Sequence, residues 1–300
     1  KGRGGTSGTK FQLDAGLFGI DRIDMRLVIK IAGALLDDEA VVRQLARQIA
    51  DTAKAGHELL VVHGGGKIFT ATLARMGITS HFTGGLRITD RETRDAAVMV
   101  FAGLLNKRLT GAISLAGQNA VGISAADSAC FLAEPMIHEG DAGGLGYVGY
   151  LTGVNLEFLT SLWRAGIVPV ACCLGLGTDG ELYNINADHM AAAAAEYCHA
   201  ERLIYLTDVA GVLDGEKVLD KVNSADVEDL IHQQKVSGGM ILKLEAAKRA
   251  LAGGVKQVRI VGGTSPRALR SASNGAKGSG TRVIPALPAA EAKLAARASR

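Results

Sequence analysis

The sequence has little of several residue types that mark specialised proteins. Only four of its 300 residues are cysteine, and none stands in a Cys-x-x-Cys spacing. This predicts buried, reduced thiols rather than a disulfide framework or a thiolate metal site. Aromatic residues make up 4%, and Lys and Arg outnumber Asp and Glu by only 33 to 30. Neither a basic stripe nor a stacking surface for nucleic acid is indicated.

Long hydrophobic segments are also missing. The uninterrupted apolar runs are near strand length, whereas a membrane span needs about 20 apolar residues. Residues 1–24 lack the apolar core of a signal peptide, so we expect a cytoplasmic protein that does not enter a membrane. Residues 1–24 are predicted to be a disordered leader or an artefact, an ordered N-terminal helix being the competing possibility. Residues 286–300 are predicted to be a frayed tail.

Glycine is the residue type in excess. It accounts for 39 of 300 residues, or 13%, against an average of about 7%. There is no collagen-like period, and the apolar fraction of 48% excludes wholesale disorder. Glycine in an ordered chain often stands where the backbone turns sharply or approaches another group closely.

The remaining chain alternates strand-like and helix-like segments. Arg26–Ile31 and Leu59–His63 are typical of buried strands, and Asp90 to Ala116 is predicted to be one long helix. A glycine-rich hairpin is predicted around Leu145–Leu151. The alternation favours an α/β fold with a largely parallel sheet. A division near residue 200, without a Pro/Ser linker, predicts two lobes that share one sheet, residues 25–200 and 201–285.

Glycines and charged residues coincide where strands are predicted to end and helices to begin. The sequence HGGGK at residues 63–67 exposes backbone N–H groups at a helix N-terminus, which favours an anion. It lacks the spacing of a Walker motif, and GGG alone is also typical of a tight turn.

Lys30 ends an apolar strand, where a lysine is costly unless it meets a ligand or an ion pair. Arg87 follows a glycine pair and is placed to clamp a carboxylate, although alone it is also typical of a solvated loop.

Three further motifs follow in the second half of the chain. Asn184 and Asp188 belong to NINAD, directly before an alanine-rich helix. The sequence LTDVAG carries a polar pair beyond a strand, a place where ligand crevices form in parallel sheets. SGGMILK puts glycines at a helix start with Lys243 about one turn in, so that N–H groups and a cation point to one place.

In this order, the motifs resemble those of the amino acid kinase family. The resemblance runs from Leu27 to Ile284 and rests on HGGGK, GGLRITD, LGYVG, YNINADHMAAAAA, LTDVAGVL, SGGMILKLEAA and GTRV. NINAD and GLRIT are similar to the branch of the family that phosphorylates acylated glutamate. The resemblance implies a three-layer αβα sandwich around an open, mainly parallel sheet, with the acyl amino acid held by residues 25–200 and ATP by residues 201–285.

The resemblance also implies a reaction and its residues. The expected activity is ATP-dependent phosphorylation of the γ-carboxylate of N-acetyl-L-glutamate to N-acetyl-L-glutamyl 5-phosphate, the second step of arginine biosynthesis, by in-line transfer. The implied catalytic residues are Lys30, Lys243 and Asp188. The implied substrate-binding residues are Gly65, Gly66, Arg87 and Asn184. The implied nucleotide-binding residues are Gly33, Thr207, Asp208, Gly211 and Gly239.

The expected chemistry needs no general base, because a γ-carboxylate with a pKa of about 4.3 is already ionised at neutral pH. Catalysis then depends on positioning and charge neutralisation by lysines, N–H groups and Mg²⁺ held mainly by the nucleotide phosphates. No protein metal cage is expected, and the histidines, His63 included, are interpreted as structural.

The sequence departs from the family's pattern in places. Ala32 stands where a glycine is common, so that its methyl group either crowds the phosphates or shifts the loop. Ala125-Ala126-Asp127 replaces the usual Gly-Lys-Asp, and Ser271–Lys277 does not resemble the motif of arginine-inhibited members. That last difference favours a homodimer over an arginine-sensitive hexamer. Two alternatives stay open: a kinase for N-succinylglutamate or carrier-bound aminoadipate, and a non-catalytic amino-acid-sensing protein of the same fold.

Overall fold

The computed structural model describes residues 25–137, 144–276 and 278–286. The predicted leader, residues 1–24, lies outside the described residues, and so does the predicted tail from residue 287 onward. Both remain predictions.

Strands and helices alternate as expected over most of the described chain. The strands are β1 (Arg26–Ile31), β2 (Glu58–His63), β3 (Phe82–Thr83), β4 (Leu86–Arg87), β5 (Ala120–Ile123), β6 (Phe131–Pro135), β7 (Gly149–Val154), β8 (Val168–Cys172), β9 (Leu174–Gly177), β10 (Leu182–Asn184), β11 (Arg202–Thr207), β12 (Leu213–Asp214), β13 (Lys217–Val218), β14 (Lys221–Asn223), β15 (Gln257–Gly262) and β16 (Thr281–Ile284). The α-helices are α1 (Glu39–Lys54), α2 (Gly66–Arg75), α3 (Arg91–Ala97), α4 (Asn106–Leu115), α5 (Leu156–Arg164), α6 (Ala187–Tyr197), α7 (Val227–His232), α8 (Gly239–Ala252) and α9 (Ala268–Ser273).

The central sheet has eight strands in the order β14-β16-β15-β11-β1-β2-β8-β5. Every neighbouring pair is parallel except β15 and β16. The predicted α/β class with a mainly parallel sheet is therefore confirmed. Strands from both sides of residue 200 belong to this sheet, with β1 and β11 paired at its centre.

Helices cover both faces of the sheet, as the side chains of β1 show. Leu27, Ile29 and Ile31 pack into one buried cluster together with Leu45 of α1, whereas Val28 packs into the other. The alternation follows from the two-residue period of a strand. Lys30 falls on the face of Val28, so it points towards the layer that contains α6.

The alanine-rich helix α6 lies against this face of the sheet. Its residues Ala191–Ala195 are at most 2% exposed, and the helix packs against β1 and α8. Side chains no larger than a methyl group let the helix approach the strand closely. This close approach brings the first turn of α6 to the carboxyl end of β1.

A second sheet of four strands has the order β10-β9-β6-β7. The predicted hairpin around Leu145–Leu151 is wrong, because the strand there begins only at Gly149 and pairs antiparallel with β6. Val148 continues this pairing by accepting from the N–H group of Met136, and residues before the strand also contact two segments distant in sequence. Gly146 forms a bridge with Thr89, and Val148 forms one with Asn184.

The long helix predicted from Asp90 to Ala116 is confirmed as a continuous segment, Arg91–Leu115. Its middle part, Val98–Leu105, is π-helical. By length and composition alone this helix is apolar enough to cross a membrane. In the fold it is a packing helix, since Ala96, Ala97 and Leu109 are fully buried.

The prediction for the thiols is confirmed. Cys130, Cys172, Cys173 and Cys198 are all free and buried. Burial raises the pKa of Cys130, Cys173 and Cys198 to about 12, so these groups are protonated and unreactive at neutral pH.

Candidate active site

Two lysines and one aspartate meet where the carboxyl end of β1 faces the N-terminal turns of α6 and α8. Lys30 Nζ lies 2.8 Å from Asp188 Oδ1, and Lys243 Nζ lies 2.9 and 3.0 Å from the two carboxylate oxygens. Each of the three residues is at most 9% exposed. We call Lys30, Asp188 and Lys243 the buried triad.

Local structure fixes the carboxylate of the triad. Asn186 caps α6, since its Oδ1 accepts hydrogen bonds from the backbone N–H groups of Asp188 and His189. The hydroxyl of Tyr205 donates to the backbone oxygen of Asp188 at 3.1 Å. In the sequence, Asn186 stood out only as part of NINAD, and Tyr205 did not stand out. An Asn directly before a helix signals the cap, whereas nothing in the sequence marked the tyrosine.

The triad carries one more positive charge than negative. Burial alone would raise the pKa of Asp188, but the charges of Lys30 and Lys243 outweigh it and hold that pKa below its ordinary value. Burial and then the charge of Lys30 lower the pKa of Lys243, despite the opposing effect of Asp188. A buried site with excess positive charge favours a further anion.

Two glycine-containing loops meet beside the triad. A Cβ atom at Gly33 would lie 2.8 Å from Gly65 Cα and 3.0 Å from Gly66 N, so only glycine permits this contact. A Cβ atom at Gly66 would meet nothing within 4 Å. Gly66 opens α2, whose first N–H groups have no acceptor within the helix. The loops therefore offer uncovered N–H groups next to the lysines.

A cavity of about 230 Å³ adjoins these loops and the triad. It is bounded by all four residues predicted to bind the substrate, Gly65, Gly66, Arg87 and Asn184. Lys30, Asp188 and Gly33 also border it. The fold thus brings together residues that are up to 158 positions apart in the sequence (Lys30 to Asp188).

Arg87 is held rigidly at this cavity. Its guanidinium group donates to Thr70 Oγ1 at 2.7 Å and to the hydroxyl of Ser80. It also lies over the rings of Phe69 and Phe82, 4.8 and 4.5 Å from their centroids. Burial lowers the pKa of Arg87 from its ordinary value. Among the described residues it has no carboxylate partner, so an anion at the cavity would find an oriented cation.

Asn184 ends β10 on the same cavity. Its Nδ2 donates to the hydroxyl of Thr89 at 3.2 Å, and that hydroxyl donates to the backbone oxygen of Arg87. Thr89 was missed in the sequence analysis, where it stood only as part of GLRIT. It connects the two residues that are predicted to hold the substrate.

Four of the five residues predicted to bind the nucleotide lie in the second half of the chain, whereas Gly33 follows β1. Thr207 ends β11, where its hydroxyl donates to Asp208 Oδ1 at 3.0 Å. Gly211 is packed closely, since a Cβ atom there would lie 2.7 Å from Thr281 Oγ1. Gly239 opens α8 in open space and follows Gly238, which has a φ of 54°. Apart from Gly33, the predicted nucleotide residues do not border the 230 Å³ cavity.

Two of the departures from the family pattern, Ala32 and the stretch ending at Asp127, do not border this cavity. Ala32 packs with the buried cluster of α1 and does not border the cavity, while its N–H group donates to Leu206 O at 2.9 Å. Its methyl group is therefore directed away from the glycine loops. Asp127 closes a local turn by accepting from the N–H and hydroxyl of Ser124.

A larger groove of about 510 Å³ lies elsewhere, between α1 and α4. Four cations border it: Arg43, Arg47, Lys107 and Arg108. All four are exposed, and Glu39 already pairs with Arg43 at 3.4 Å and with Arg108 at 3.9 Å. We call these four residues the basic groove. None of the motifs falls on it, so the smaller cavity is the better candidate for catalysis.

Comparison with known proteins shows the family of this chain. The sequence profile of the amino acid kinase family matches residues 25–262, which include the whole buried triad. The chain belongs to the amino acid kinase family. It is 47% identical over 250 residues to an acetylglutamate kinase of Koribacter versatilis, covering 82% of this chain and 94% of that protein. It is 44% identical to an acetylglutamate kinase of Methanopyrus kandleri, covering 78% of this chain and 93% of that protein.

Solved structures share the amino acid kinase fold. An N-acetylglutamate synthase from Neisseria gonorrhoeae, in complex with coenzyme A and N-acetyl-glutamate, matches 88% of this chain with a TM-score of 0.79 at 24% identity. This chain spans only 60% of that synthase. A carbamate kinase from Giardia lamblia bound to AMP-PNP matches 87% of this chain and 99% of its own, with a TM-score of 0.65 at 15% identity. At these identities the likeness shows the fold alone.

Proposed function

We propose that this member of the amino acid kinase family transfers the γ-phosphoryl group of ATP to the γ-carboxylate of N-acetyl-L-glutamate, as in the second step of arginine biosynthesis. The observation that carries the proposal is the buried triad beside a cavity bordered by Arg87, which has no carboxylate partner among the described residues. The names of the curated relatives, 37–47% identical to this chain, support the same substrate.

The reaction brings a carboxylate against a triphosphate, so charge repulsion is the main barrier. The substrate carboxylate is ionised at neutral pH and attacks without a general base. Lys30 and Lys243 neutralise charge on the phosphoryl oxygens as the bond to the leaving group lengthens. Asp188 pairs with both ammonium groups and so directs them to one point. The N–H groups of Gly65 and Gly66 add donors that need no reorganisation during the reaction.

The remainder of the substrate is held by the cavity. Arg87 binds the α-carboxylate through the guanidinium edge that Thr70 and Ser80 leave available, and Asn184 binds the acyl end. The cavity volume of about 230 Å³ is small, which suits a compact acyl amino acid better than a carrier protein. Fixing the attacking carboxylate near the phosphoryl group lowers the entropic part of the barrier.

The residues present fit a triphosphate. Open space in front of Gly66 and Gly239, each the first residue of a helix, leaves N–H groups free to meet phosphate oxygens. Gly33, Thr207, Asp208, Gly211 and Gly239 would hold the nucleotide. Within the part of the chain that the structure describes, no group of three or more His, Cys, Asp and Glu side chains is placed to hold a metal. Mg²⁺, which neutralises phosphate charge and usually keeps several of its waters, would be held mainly by the phosphates.

We also propose that the protein acts in the cytoplasm as a homodimer. Three apolar side chains of the long helix are exposed: Met99, Leu104 and Leu115, with exposures of 62, 46 and 93%. A second copy of the chain would cover them. Sedimentation equilibrium should give twice the chain mass. A hexamer or a monomer would contradict this part of the proposal.

Trapping the product with hydroxylamine tests the proposed reaction. Acyl phosphates give hydroxamates, so ATP and Mg²⁺ should yield product with N-acetyl-L-glutamate at a higher kcat/KM than with N-succinylglutamate or N-acetylaminoadipate. A preference for one of the other two would assign the chain to a related kinase. No hydroxamate with any of them would indicate a binding protein.

A further inference from the structure

A buried histidine lies directly beneath the glycine loop. His63 ends β2 and is fully buried. Its Nδ1 lies 3.1 Å from the backbone oxygen of Gly64, and its Nε2 lies 3.2 Å from Nδ2 of Asn106. Asn106, also fully buried, donates from the same nitrogen to Val170 O at 2.8 Å. Neither His63 nor Asn106 borders the cavity.

These contacts assign one form of the imidazole ring. A carbonyl oxygen only accepts, so Nδ1 must carry the hydrogen that Gly64 receives. An amide nitrogen only donates, so Nε2 must be the bare nitrogen that accepts from Asn106. Burial lowers the pKa of His63 to about 4, which agrees with a neutral ring at physiological pH. The neutral His63 ring therefore donates to Gly64 and accepts from Asn106.

The π-helical segment packs against the same glycine loop. A Cβ atom at Gly65 would clash with Leu105 Cδ1 and lie 3.5 Å from Phe101 Cε1. Phe101 and Asn106 are five residues apart, which is about one turn of a π-helix. Phe101 approaches Gly65, and Asn106, directly after the π-helical segment, contacts His63. A short π-helical stretch inside an α-helix is frequent at functional sites.

The edge strand β5 makes room for this arrangement. A Cβ atom at Gly122 would overlap Asn106 Oδ1 and lie 2.8 Å from Thr110 Oγ1. Oδ1 of Asn106 has no hydrogen-bond partner among the described residues, so the amide is fixed through Nδ2 alone. Gly122, Asn106 and His63 thus form a continuous path from the sheet edge to Gly64.

We propose that His63 and Asn106 are positioning residues. They fix the direction of the Gly64 carbonyl group, so that the N–H groups of Gly65 and Gly66 face the transferring phosphoryl group. The inference rests on the proposed phosphoryl transfer for its kinetic consequence. Its structural part, the ring form and the hydrogen bond to Gly64, is independent of the substrate. Both residues act through Gly64 rather than by touching the reactants.

Two substitutions at one position separate this role from simple packing. The amide nitrogen of His63→Asn lies where Nδ1 lies, so this variant keeps the hydrogen bond to Gly64. The amide of His63→Gln reaches the place of Nε2, so this variant loses it. We expect His63→Gln to lower kcat about 10- to 100-fold, since small misplacements at a reacting centre have effects of this size.

The matched variant His63→Asn should retain kcat within about three-fold of the wild type, and KM for ATP should change little in either variant. Thermal unfolding would be measured for both. Equal losses of kcat in the two variants would overturn the positioning role. So would losses of kcat that correlate with the loss of thermal stability and not with the loss of the hydrogen bond to Gly64.

A spectroscopic measurement keeps the inference testable if neither variant folds or the wild type makes no acyl phosphate. Side-chain ¹⁵N resonances of the wild-type protein should show His63 as the neutral form protonated at Nδ1 from pH 6 to 8. In Asn106→Ala the Nε2 resonance should move, because its donor is removed. Protonation at Nε2, or titration near pH 6.5, would overturn the assignment whatever the enzyme's substrate.

Discussion

The buried triad and the basic groove both concentrate cations, but they differ in their surroundings. Lys30 and Lys243 are buried, and both form ion pairs with the carboxylate of Asp188. They lie next to glycine loops whose N–H groups are uncovered. In the basic groove, four cations lie in water on the faces of α1 and α4, and Glu39 pairs with two of them. The groove is the larger concavity of the two, at about 510 Å³ against about 230 Å³.

The difference shows that burial, more than the number of charges, gives a site its chemistry. Exposed ion pairs contribute about 0–1 kcal/mol, because water already solvates them. Charges withdrawn from water act strongly on anything placed between them, and they are costly when left unpaired. The following substitutions test whether the two regions differ in this way, beginning with the largest expected effect.

The carboxylate of the triad should be the most sensitive position. Asp188→Asn leaves two buried ammonium groups without a counter-charge, so we expect the free energy of unfolding to fall by about 3–5 kcal/mol, as for other broken buried pairs. Activity should be lost as well. Urea unfolding measures the first effect. The control is Asp51→Asn, which changes an exposed carboxylate of α1. An equal fall in the free energy of unfolding in this control would show that burial does not set Asp188 apart.

Removing one lysine of the triad should affect turnover more than binding. In Lys243→Met we expect kcat to fall about 10²- to 10³-fold, the usual effect of deleting one donor to developing charge. KM for ATP should change little, since many other groups hold the nucleotide. Steady-state kinetics with the hydroxylamine assay checks this, and near-normal turnover would exclude Lys243 from the reaction.

Arg87 should affect substrate binding. Arg87→Ala is expected to raise the KM for the acyl amino acid about 10- to 100-fold, since a hydrogen bond to a charged group contributes about 1.5–3 kcal/mol. Arg75→Ala, an exposed arginine on α2, serves as the control. An unchanged KM in Arg87→Ala would place the α-carboxylate elsewhere.

At low pH the wild-type protein should lose stability, because Asp188 of the triad becomes protonated. The folded-state pKa of Asp188 lies below its unfolded value. Its contribution to stability is therefore complete above the unfolded pKa and is lost as the pH falls through the folded one. The free energy of unfolding of Asp188→Asn should depend less on pH than that of the wild type below about pH 4. Identical slopes would show that the triad does not stabilise the fold.

The basic groove should give the smallest effect. Arg47→Met is expected to change the free energy of unfolding by no more than about 0.5 kcal/mol, because exposed positions tolerate substitution. Its kcat and both KM values should match the wild type. A ten-fold loss of turnover would show that exposure does not separate the two regions.

The sequence predicted the parts of this structure that depend on local pattern. Alternating strands and helices predicted the parallel sheet, and the long helix was placed within one residue at each end. Lys30, Asp188 and Arg87 were singled out because charges in apolar or glycine-rich surroundings are unusual. The hairpin around Leu145–Leu151 was predicted wrongly, because the strand there starts at Gly149 and pairs with β6, while Thr89 and Asn184, distant in sequence, bridge to the residues before it.

What the sequence did not predict depends on distant partners. The π-helical stretch has no compositional signal, since its residues also suit an α-helix. His63 was interpreted as structural, and its contact with Asn106 joins residues 43 positions apart. The aromatic rings on both sides of Arg87 come from α2 and β3, which only the folded chain brings together.

The most direct test of the account is the affinity for a mimic of the transferring phosphoryl group. Calorimetry would measure binding of MgADP with aluminium fluoride and N-acetyl-L-glutamate, and separately of MgATP, to the wild type, Lys243→Met and Arg47→Met. We predict that Lys243→Met binds the mimic at least about 10²-fold more weakly while its Kd for MgATP stays within about three-fold, because the lysine acts mainly in the transition state. Arg47→Met should bind both like the wild type. An equal loss of mimic and MgATP affinity in Lys243→Met, or no loss of either, would contradict the central claim that the buried triad stabilises the phosphoryl group in transfer.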